Sequence, residues 1–329
     1  MTMKRLMRLR IIPAVLLGLL LCAVGLFWPE PESRRSLTVA ATIWPGTEGL
    51  VTAGDDGSLK GKRINLVEMS WPTAAMGAFR KRVVDGLVVT LDEMLRLEAD
   101  GAKPRAVLIL GVSKGSDAIM TQPGMNSVEE LRGRRVGVEM RSSGEYLLTQ
   151  ALAAHGMTLH DIDVVPVNLA ETESAYDERD LDAVVTADPW RTKLQDKGAV
   201  ALFDSSRMGL ELSRVLVVRE DALKLFSDEV QSMVSACLDH NVKGGPQAGG
   251  EELDAMLRRE GLTMDQWRKA LELIHLPDAA ENRRLMEQGT GGMGECLDRM
   301  IKTMRQQGML QHEIRADGLL TPEYLGGAG

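Results

Sequence analysis

Residues 86–112 read GLVVTLDEMLRLEADGAKPRAVLILGV, and this stretch decides the fold class. Residues 86–90 are rich in β-branched side chains, residues 91–99 show the apolar spacing of a helix, and residues 106–112 are almost wholly apolar. A strand without polar positions is expected where both faces of a sheet are covered. Strand, helix and buried strand in this order indicate parallel βαβ units rather than a sandwich.

The same alternation continues on both sides of this stretch. Further strands are predicted at 36–43, 64–69, 135–139, 163–167, 182–186 and 214–218. Helices are predicted at 73–82 and 145–155 between them. After Asp221 the pattern is mainly helical, with helices expected at 221–242, 251–260, 263–274, 279–287 and 293–307. The sequence therefore predicts an α/β fold.

The N-terminus predicts export. Lys4, Arg5, Arg8 and Arg10 occur without an acidic residue, and residues 11–28 then carry no charge. A basic segment followed by an apolar one is typical of a secretory signal or a membrane anchor, with the positive flank in the cytoplasm. We therefore interpret 1–36 as a signal peptide or an N-terminal membrane anchor. Cleavage, lipidation at Cys22 and retention as an anchor all stay open at this point.

Charge and motifs exclude several classes of function. After residue 36, 33 Lys or Arg stand against 45 Asp or Glu, which gives a net charge near −12. Such a surface repels phosphate backbones, so we expect no nucleic-acid partner. The sequence has no phosphate-binding Gly-rich loop, no Gly-x-Ser-x-Gly motif and no His or Cys cluster with metal spacing. We therefore predict no catalytic residues, no metal, no cofactor and no enzymatic activity.

Candidate ligand-binding residues lie where the predicted strands end, because ligands of open α/β sheets bind outside the carboxyl ends of the strands. Three of the five Trp residues are placed there, although aromatic residues make up only 4% of the chain. An equally good interpretation of each of these Trp residues is that its ring packs against the end of a sheet. The predicted ligand-binding set is Trp44, Glu48, Ser70, Trp71, Thr90, Ser113, Lys114, Ser142, Ser143, Asp188 and Trp190.

Two features of this set favour ligands of opposite charge. Ser142-Ser143-Gly144 separates a strand from a helix, so its hydroxyls and N–H groups suit an anionic head group, or simply cap the helix. Glu48 and Asp188 would instead repel an anion and hold a cation, which Trp44 and Trp190 would strengthen. The plainer interpretation of Asp188 is a turn residue before Pro189.

Several motifs in a fixed order resemble a known family. They are the segment 85–90, the buried strand 106–112 followed by Ser113-Lys114-Gly115-Ser116-Asp117, the segment 127–138, and Asp182-Ala183 followed by Asp188-Pro189-Trp190. This order resembles the nitrate/sulfonate/taurine/bicarbonate class of ABC-transporter solute-binding proteins over roughly residues 37–325.

The resemblance implies a type II periplasmic-binding-protein fold. One α/β lobe would comprise residues 37–121 plus 219–329, and the other would comprise residues 122–218. A two-strand hinge near 120–123 and 218–220 would join the lobes, with a ligand cleft between them. The chain would then be the monomeric, extracytoplasmic solute-binding component of an ABC importer. It would capture a small polar ligand, anionic or zwitterionic and similar to sulfonate, nitrate or taurine, and deliver it to a membrane permease.

Two other functions remain possible on the same fold. One is a membrane-tethered ligand sensor that passes a signal to a partner. The other is an enzyme, since one relative of this fold makes a pyrimidine precursor of thiamine with a cysteine-rich motif. The three cysteines of this chain form no such cluster, which argues against that activity.

Overall fold

The computed structural model describes residues 35–69, 71–178, 181–244, 249–287 and 291–326. The apolar leader predicted for 1–36 therefore lies outside the described residues, apart from its last two positions. Within the described ranges, none of the helices combines the length and the hydrophobicity needed to cross a bilayer.

Six strands form the first sheet. Their order across the sheet is β11-β4-β10-β3-β1-β2. The strands β1, β2 and β3 run parallel, whereas β10 is antiparallel to both β3 and β4. The bounds are β1 (Leu37–Thr42), β2 (Ile64–Met69), β3 (Gly86–Thr90), β4 (Pro104–Ser113), β10 (Ser213–Arg219) and β11 (Ile274–His275).

Five strands form the second sheet, in the order β7-β6-β8-β5-β9. The strand β6 is parallel to β7 and β8, and β5 is antiparallel to β8 and β9. Two separate sheets, each with parallel and antiparallel strand pairs and with helices between the strands, confirm the predicted α/β class. The bounds are β5 (Asp117–Thr121), β6 (Arg135–Val138), β7 (Asp163–Pro166), β8 (Ala183–Ala187) and β9 (Val200–Asp204).

Twelve α-helices connect or cover the strands within the described ranges. The helix predicted at 221–242 is interrupted at the fully buried Phe226, whose φ of −125° lies outside the helical region. The bounds are α1 (Glu48–Asp55), α2 (Pro72–Arg80), α3 (Leu91–Ala99), α4 (Ser143–Ala154), α5 (Thr172–Asp177), α6 (Trp190–Asp196), α7 (Glu220–Leu225), α8 (Ser227–Gly244), α9 (Gly250–Glu260), α10 (Met264–Glu272), α11 (Ala279–Met286) and α12 (Met293–Gln306).

Short transitions from strand to helix fix the side chains at the carboxyl ends of the strands. After β3, the N–H of Thr90 donates to Glu93 Oε2 at 3.0 Å, which forms part of a capping box at the start of α3. After β6, Ser142 Oγ accepts from the N–H of Gly144 at 3.1 Å and caps α4. An N-cap of this kind stabilises a helix by about 1 kcal/mol. The caps therefore hold these segments in defined positions.

The chain crosses between the sheets twice, between Ser113 and Asp117 and between Asp204 and Ser213. The two crossings touch, because the hydroxyls of Ser113 and Ser205 lie 2.6 Å apart. Each predicted lobe limit, at 121/122 and at 218/219, lies about one strand further along the chain than the crossing before it. The division into two lobes stays a prediction.

Candidate ligand-binding site

Segments that follow strands of the two sheets contact each other directly. The segment after β2 reaches the segment after β6, since Thr73 Oγ1 donates to Glu139 Oε1 at 2.5 Å. The segment after β3 also reaches α4, since the N–H of Ser143 donates to Glu93 Oε1 at 3.3 Å. The carboxyl ends of parallel strands from both sheets therefore meet at one boundary, as ligand sites of α/β proteins do.

The predicted anion position at Ser142-Ser143-Gly144 is occupied by a carboxylate of the chain itself. Ser142 uses its hydroxyl for the cap and also donates to the carbonyl of Glu139 at 2.7 Å. The N–H of Ser143 points to the buried carboxylate of Glu93. An external anion would have to displace Glu93 to reach this N–H group.

Acidic side chains crowd the region around Glu93. Burial and, to a lesser extent, the neighbouring carboxylate of Asp92 raise the pKa of Glu93 to about 7. Burial also raises the pKa of Asp92, which Arg96 opposes from 3.7 Å. Arg96 in turn donates to Glu145 Oε2 at 2.9 Å, which links α3 to α4. This part of the boundary is therefore an ionic contact within the chain.

Trp44 is buried at the boundary and is held there by several contacts. Its ring is 1% exposed, its Nε1 donates to Ser116 Oγ at 3.0 Å, and the guanidinium of Arg214 lies 4.2 Å from its ring centroid. Gly46 and Gly111 leave room for the ring, because a Cβ on either would lie within 2.8 Å of it. The structure therefore agrees with a packing role for Trp44 at the end of the first sheet.

Asp188 and Glu48 are also buried at strand ends. Asp188 Oδ1 accepts from the N–H and the hydroxyl of Thr192, at 3.0 and 2.6 Å, in the first turn of α6. Burial raises the pKa of Asp188 to about 6. Glu48 accepts from Arg259 Nε and Nη2 at 3.1 and 2.5 Å. The peptide bond between Asp188 and Pro189 is cis.

The other predicted residues have varied surroundings. Ser113 contacts Ser205, and Thr90 Oγ1 donates to Asp92 Oδ1 at 2.7 Å. The side chain of Lys114 is exposed, Trp71 is 37% exposed, and Trp190 is buried at the start of α6. Ser70 lies outside the described residues. Part of the predicted set therefore lies near the boundary between the sheets. Its role in ligand binding stays a proposal.

An open cavity of about 300 Å³ lies at the same boundary. One wall is α2, beside the first sheet, and the other walls are the segments after β6 and β7 in the second sheet. None of its residues belongs to the predicted ligand-binding set, because most of them lie within a helix or in loops without a motif. They are Thr73, Met76, Arg80, Glu139, Met140, Arg141, Pro166, Val167, Asn168 and Glu171.

Two arginines, Arg80 and Arg141, and two glutamates, Glu139 and Glu171, are the charged residues that line this cavity. Arg80 Nε pairs with Asp100 Oδ2 at 2.6 Å, while Arg80 Nη2 is buried and has no hydrogen-bond partner among the described residues. Arg141 Nη2 lies 3.5 Å from the same oxygen of Asp100. Two guanidinium groups thus share one carboxylate. Unused donors of this kind suit a carboxylate, sulfonate or similar anion.

Arg141, in the wall of the same cavity, has a strained backbone conformation. Arg141 has a φ of +64°, a left-handed conformation that costs a non-glycine residue of order 1 kcal/mol. Its N–H donates to Glu145 Oε2 at 2.9 Å, which fixes this conformation. Glu139, two residues earlier, accepts from the N–H of Leu169 at 2.9 Å as well as from Thr73. These contacts position the polar walls, and Met76, Met140 and Val167 supply apolar surface between them.

Other chemistry finds little support in the described ranges. No group of three or more His, Cys, Asp or Glu side chains there could hold a metal ion. Cys237 and Cys296 are buried, and burial raises the pKa of each thiol to about 12. A thiol with such a pKa is a poor nucleophile at neutral pH.

Comparisons with known proteins agree with this architecture. Residues 88–239 match the family model described as NMT1/THI5 like. The alkanesulfonate-binding protein SsuA from Xanthomonas axonopodis pv. citri, bound to MOPS, superposes with a TM-score of 0.73 at 18% identity, covering 89% of this chain and 99% of that one. This chain has the periplasmic-binding-protein fold. The resemblance predicted from the sequence is thereby confirmed.

Two further matches limit what can be concluded from this structural similarity. A candidate binding protein of Brucella abortus (strain 2308) is 35% identical over 68 residues, 21% of either chain, so this chain matches about a fifth of the length of that curated relative. The desulfurization enzyme DSZB superposes with a TM-score of 0.61 at 18% identity, covering 88% of this chain and 98% of that one. The periplasmic-binding-protein fold therefore occurs both in binding proteins and in an enzyme.

Proposed function

We propose that this protein is the solute-binding component of an ABC importer at the extracytoplasmic face of the membrane, and that it captures a small anionic or zwitterionic ligand between its two sheets. The observation that carries this proposal is the cavity at the boundary of the sheets, with Arg80 and Arg141 in its walls. A pocket formed by two layers closes when both contact the same ligand.

The size and polarity of the cavity fit such a ligand. About 300 Å³ is at the lower end of the range for small-molecule sites, so the ligand has few non-hydrogen atoms. The guanidinium groups of Arg80 and Arg141, which line the cavity, would bind its anionic group. Met76, Met140 and Val167 would contact a short apolar body. Sulfonates such as those bound by SsuA have this composition.

Delivery to a permease is the second part of the proposal. SsuA of Xanthomonas, by its name, binds alkanesulfonates, and the basic, then apolar N-terminus predicts export of the chain. An exported binding protein needs a membrane partner to bring its ligand into the cell. We therefore propose a permease as partner and no turnover of the ligand. The protonated thiols of Cys237 and Cys296 agree with binding rather than covalent catalysis.

Ligand-dependent melting of the full chain tests the proposal. Ligands that bind the native state raise the melting temperature, so ethanesulfonate, taurine, nitrate and bicarbonate are compared with chloride. We expect a rise with at least one of these ligands, and its loss in Arg80→Gln. Lys81→Gln, which removes an exposed charge next to Arg80, serves as the control and should keep the response. A ligand response that is equal in Arg80→Gln and wild type would contradict this site.

A further inference from the structure

Asp100 lies where two arginines from different sheets meet. Arg80 ends α2 beside the first sheet, and Arg141 follows β6 of the second sheet. Asp100 Oδ2 accepts from Arg80 Nε at 2.6 Å and lies 3.5 Å from Arg141 Nη2. Both arginines line the cavity at the boundary, whereas Asp100 lies outside its lining. Asp100 therefore contacts the two positive charges of the cavity without forming part of its wall.

The end of α3 holds Asp100 in place. The N–H of Asp100 donates to the carbonyl of Arg96 at 3.0 Å, and α3 is buried over most of its length. An aspartate side chain has only two rotatable bonds, so a fixed backbone leaves its carboxylate little freedom. Asp100 is therefore a defined partner for both guanidinium groups.

The contact with Arg141 goes beyond a link between neighbouring helices. An ion pair that only joined α3 to α2 would be complete with Arg80. Arg141 comes from the other sheet, and its N–H is held by Glu145 Oε2 at 2.9 Å in a backbone conformation with a φ of +64°. Two carboxylates thus hold this residue, one at its backbone and one at its guanidinium. Asp100 is the point at which the charges of both sheets are shared.

This sharing limits the charge that the cavity offers to a ligand. Arginine is always ionised, so two guanidinium groups beside one carboxylate keep about one positive charge between them. The two glutamates of the lining add negative charge and have partners of their own. Glu139 accepts from Thr73 and Leu169, and Glu171 Oε2 accepts from Asn168 Nδ2 at 3.1 Å. A second negative charge on the ligand would therefore meet repulsion that the arginines do not offset.

We propose that Asp100 determines the charge selectivity of the cavity: it neutralises part of the charge of Arg80 and Arg141, so that a head group with one negative charge binds better than one of the same shape with two. This inference rests on the proposed function, because it concerns the anion that the cavity binds. It deepens that function by assigning selectivity to a residue outside the cavity wall. Because Asp100 acts through the two arginines, it is a positioning residue.

Ethyl sulfate and ethyl phosphate test this selectivity, since they share their shape and differ in charge. At about pH 8 ethyl sulfate is a monoanion and ethyl phosphate is a dianion, because the second pKa of a phosphate monoester is about 6. Titration calorimetry on the full chain at low salt, where charges are least screened, gives the ratio of the two dissociation constants. Wild type should prefer ethyl sulfate. Asp100→Asn should shift the ratio about tenfold towards ethyl phosphate.

The ratio separates an effect of charge from a defect in folding or packing, which would weaken both probes alike. Asp100→Glu keeps the charge and should keep the preference of wild type. Asp265→Asn removes an exposed aspartate that pairs with Arg268, and as the matched control it should alter neither constant. If circular dichroism shows that Asp100→Asn does not fold, Asp100→Ser takes its place with the same expected shift.

The inference and the proposed function fail in different ways. If wild type binds ethyl sulfate and Asp100→Asn keeps the wild-type ratio, the role of Asp100 is overturned and the anion cavity stands. A preference of wild type for ethyl phosphate, or loss of the preference in Asp100→Glu, overturns the inference in the same way. If wild type binds neither probe, the cavity does not take small anions, and both proposals are overturned.

Discussion

The backbone N–H of Ser143 donates to the carboxylate of Glu93 at 3.3 Å, and this contact joins the start of α4 to the start of α3. The positive end of a helix dipole attracts an anion, and here the anion is part of the same chain. An external anion would therefore not bind at Ser143 without displacing Glu93. The cavity lined by Arg80 and Arg141 is the place that we propose for an anionic group.

Replacing Glu93 by Gln should flatten the dependence of stability on pH. The folded-state pKa of Glu93 is about 7, above its usual 4.5, so the folded protein binds this proton more tightly than the unfolded chain. Its contribution to stability is therefore highest at acid pH and is lost as the pH rises from about 4.5 to 7. Over that window wild type should lose up to about 3 kcal/mol that Glu93→Gln does not lose. Urea unfolding at several pH values measures the difference.

Other acidic residues also contribute to the dependence of stability on pH in that experiment. Asp92, Asp188, Glu48 and Glu260 also have raised pKa values and give slopes of the same sign, but they are present in both proteins. Glu98→Gln, on the same helix and partly exposed, is the control and should behave as wild type. Equal slopes in wild type and Glu93→Gln would show that Glu93 is ionised normally.

The two serines at the start of α4 should differ in their effect on stability. Ser142 accepts from the N–H of Gly144 and donates to the carbonyl of Glu139, whereas Ser143 meets Glu93 through its backbone. Ser142→Ala should therefore lower the free energy of unfolding by about 1 kcal/mol. Ser143→Ala keeps the backbone contact and should cost clearly less. Chemical denaturation of both variants tests this order, and the reverse order would refute the assigned cap.

Alanine in place of Gly46 should destabilise the wall formed by Trp44. A Cβ at this position would lie 1.9 Å from the ring, so either the ring or the backbone must shift. Overpacking of this kind costs about 1–3 kcal/mol. Near-UV circular dichroism should also change, because the surroundings of a buried Trp are altered.

Gly77 supplies the matched control for that substitution. It lies in α2, and a Cβ there would meet nothing within 4 Å. Gly77→Ala should raise the free energy of unfolding by about 0.5–1 kcal/mol, because alanine favours the helix. A Gly46→Ala variant as stable as wild type would mean that Trp44 is not held in place.

The ion pair between Asp117 and Arg214 should contribute strongly to stability. Both side chains are buried, the two N–O distances are 2.9 and 3.0 Å, and Arg214 also lies over Trp44. Asp117→Asn leaves the guanidinium buried without its counter-charge, which costs about 3–5 kcal/mol. Asp317→Asn breaks an exposed pair with Arg315 and should leave the melting temperature unchanged. Equal effects of the two substitutions would contradict this difference.

The regular elements could be predicted where a single pattern dominates. The strands at 64–69 and 86–90 and the helix at 91–99 have the predicted bounds, because apolar periodicity and a Thr-x-x-Glu capping box act locally. The strands β5, β9 and the two-residue β11 were missed. The segment 117–121 carries polar ends, and it is buried only because β8 and β9 flank it. Nothing local in the sequence indicates that pairing.

The sequence indicates where to look for the candidate site, but not which residues line its cavity. Strand ends identified Trp44, Ser143 and Asp188, and all three lie at or near the boundary between the sheets. Arg80 was missed because it lies at the end of a helix, where a charged residue usually faces solvent. Its importance depends on contacts with residues far away in sequence.

The contact between Ser113 and Ser205 has a mechanical consequence. Both crossings of the chain between the sheets pass through this one point, so turning one sheet against the other leaves it nearly still. Displacement then grows with distance from that axis. If the sheets turn in this way, spectroscopic probes near Ser113 would record much less motion than probes placed far from this contact.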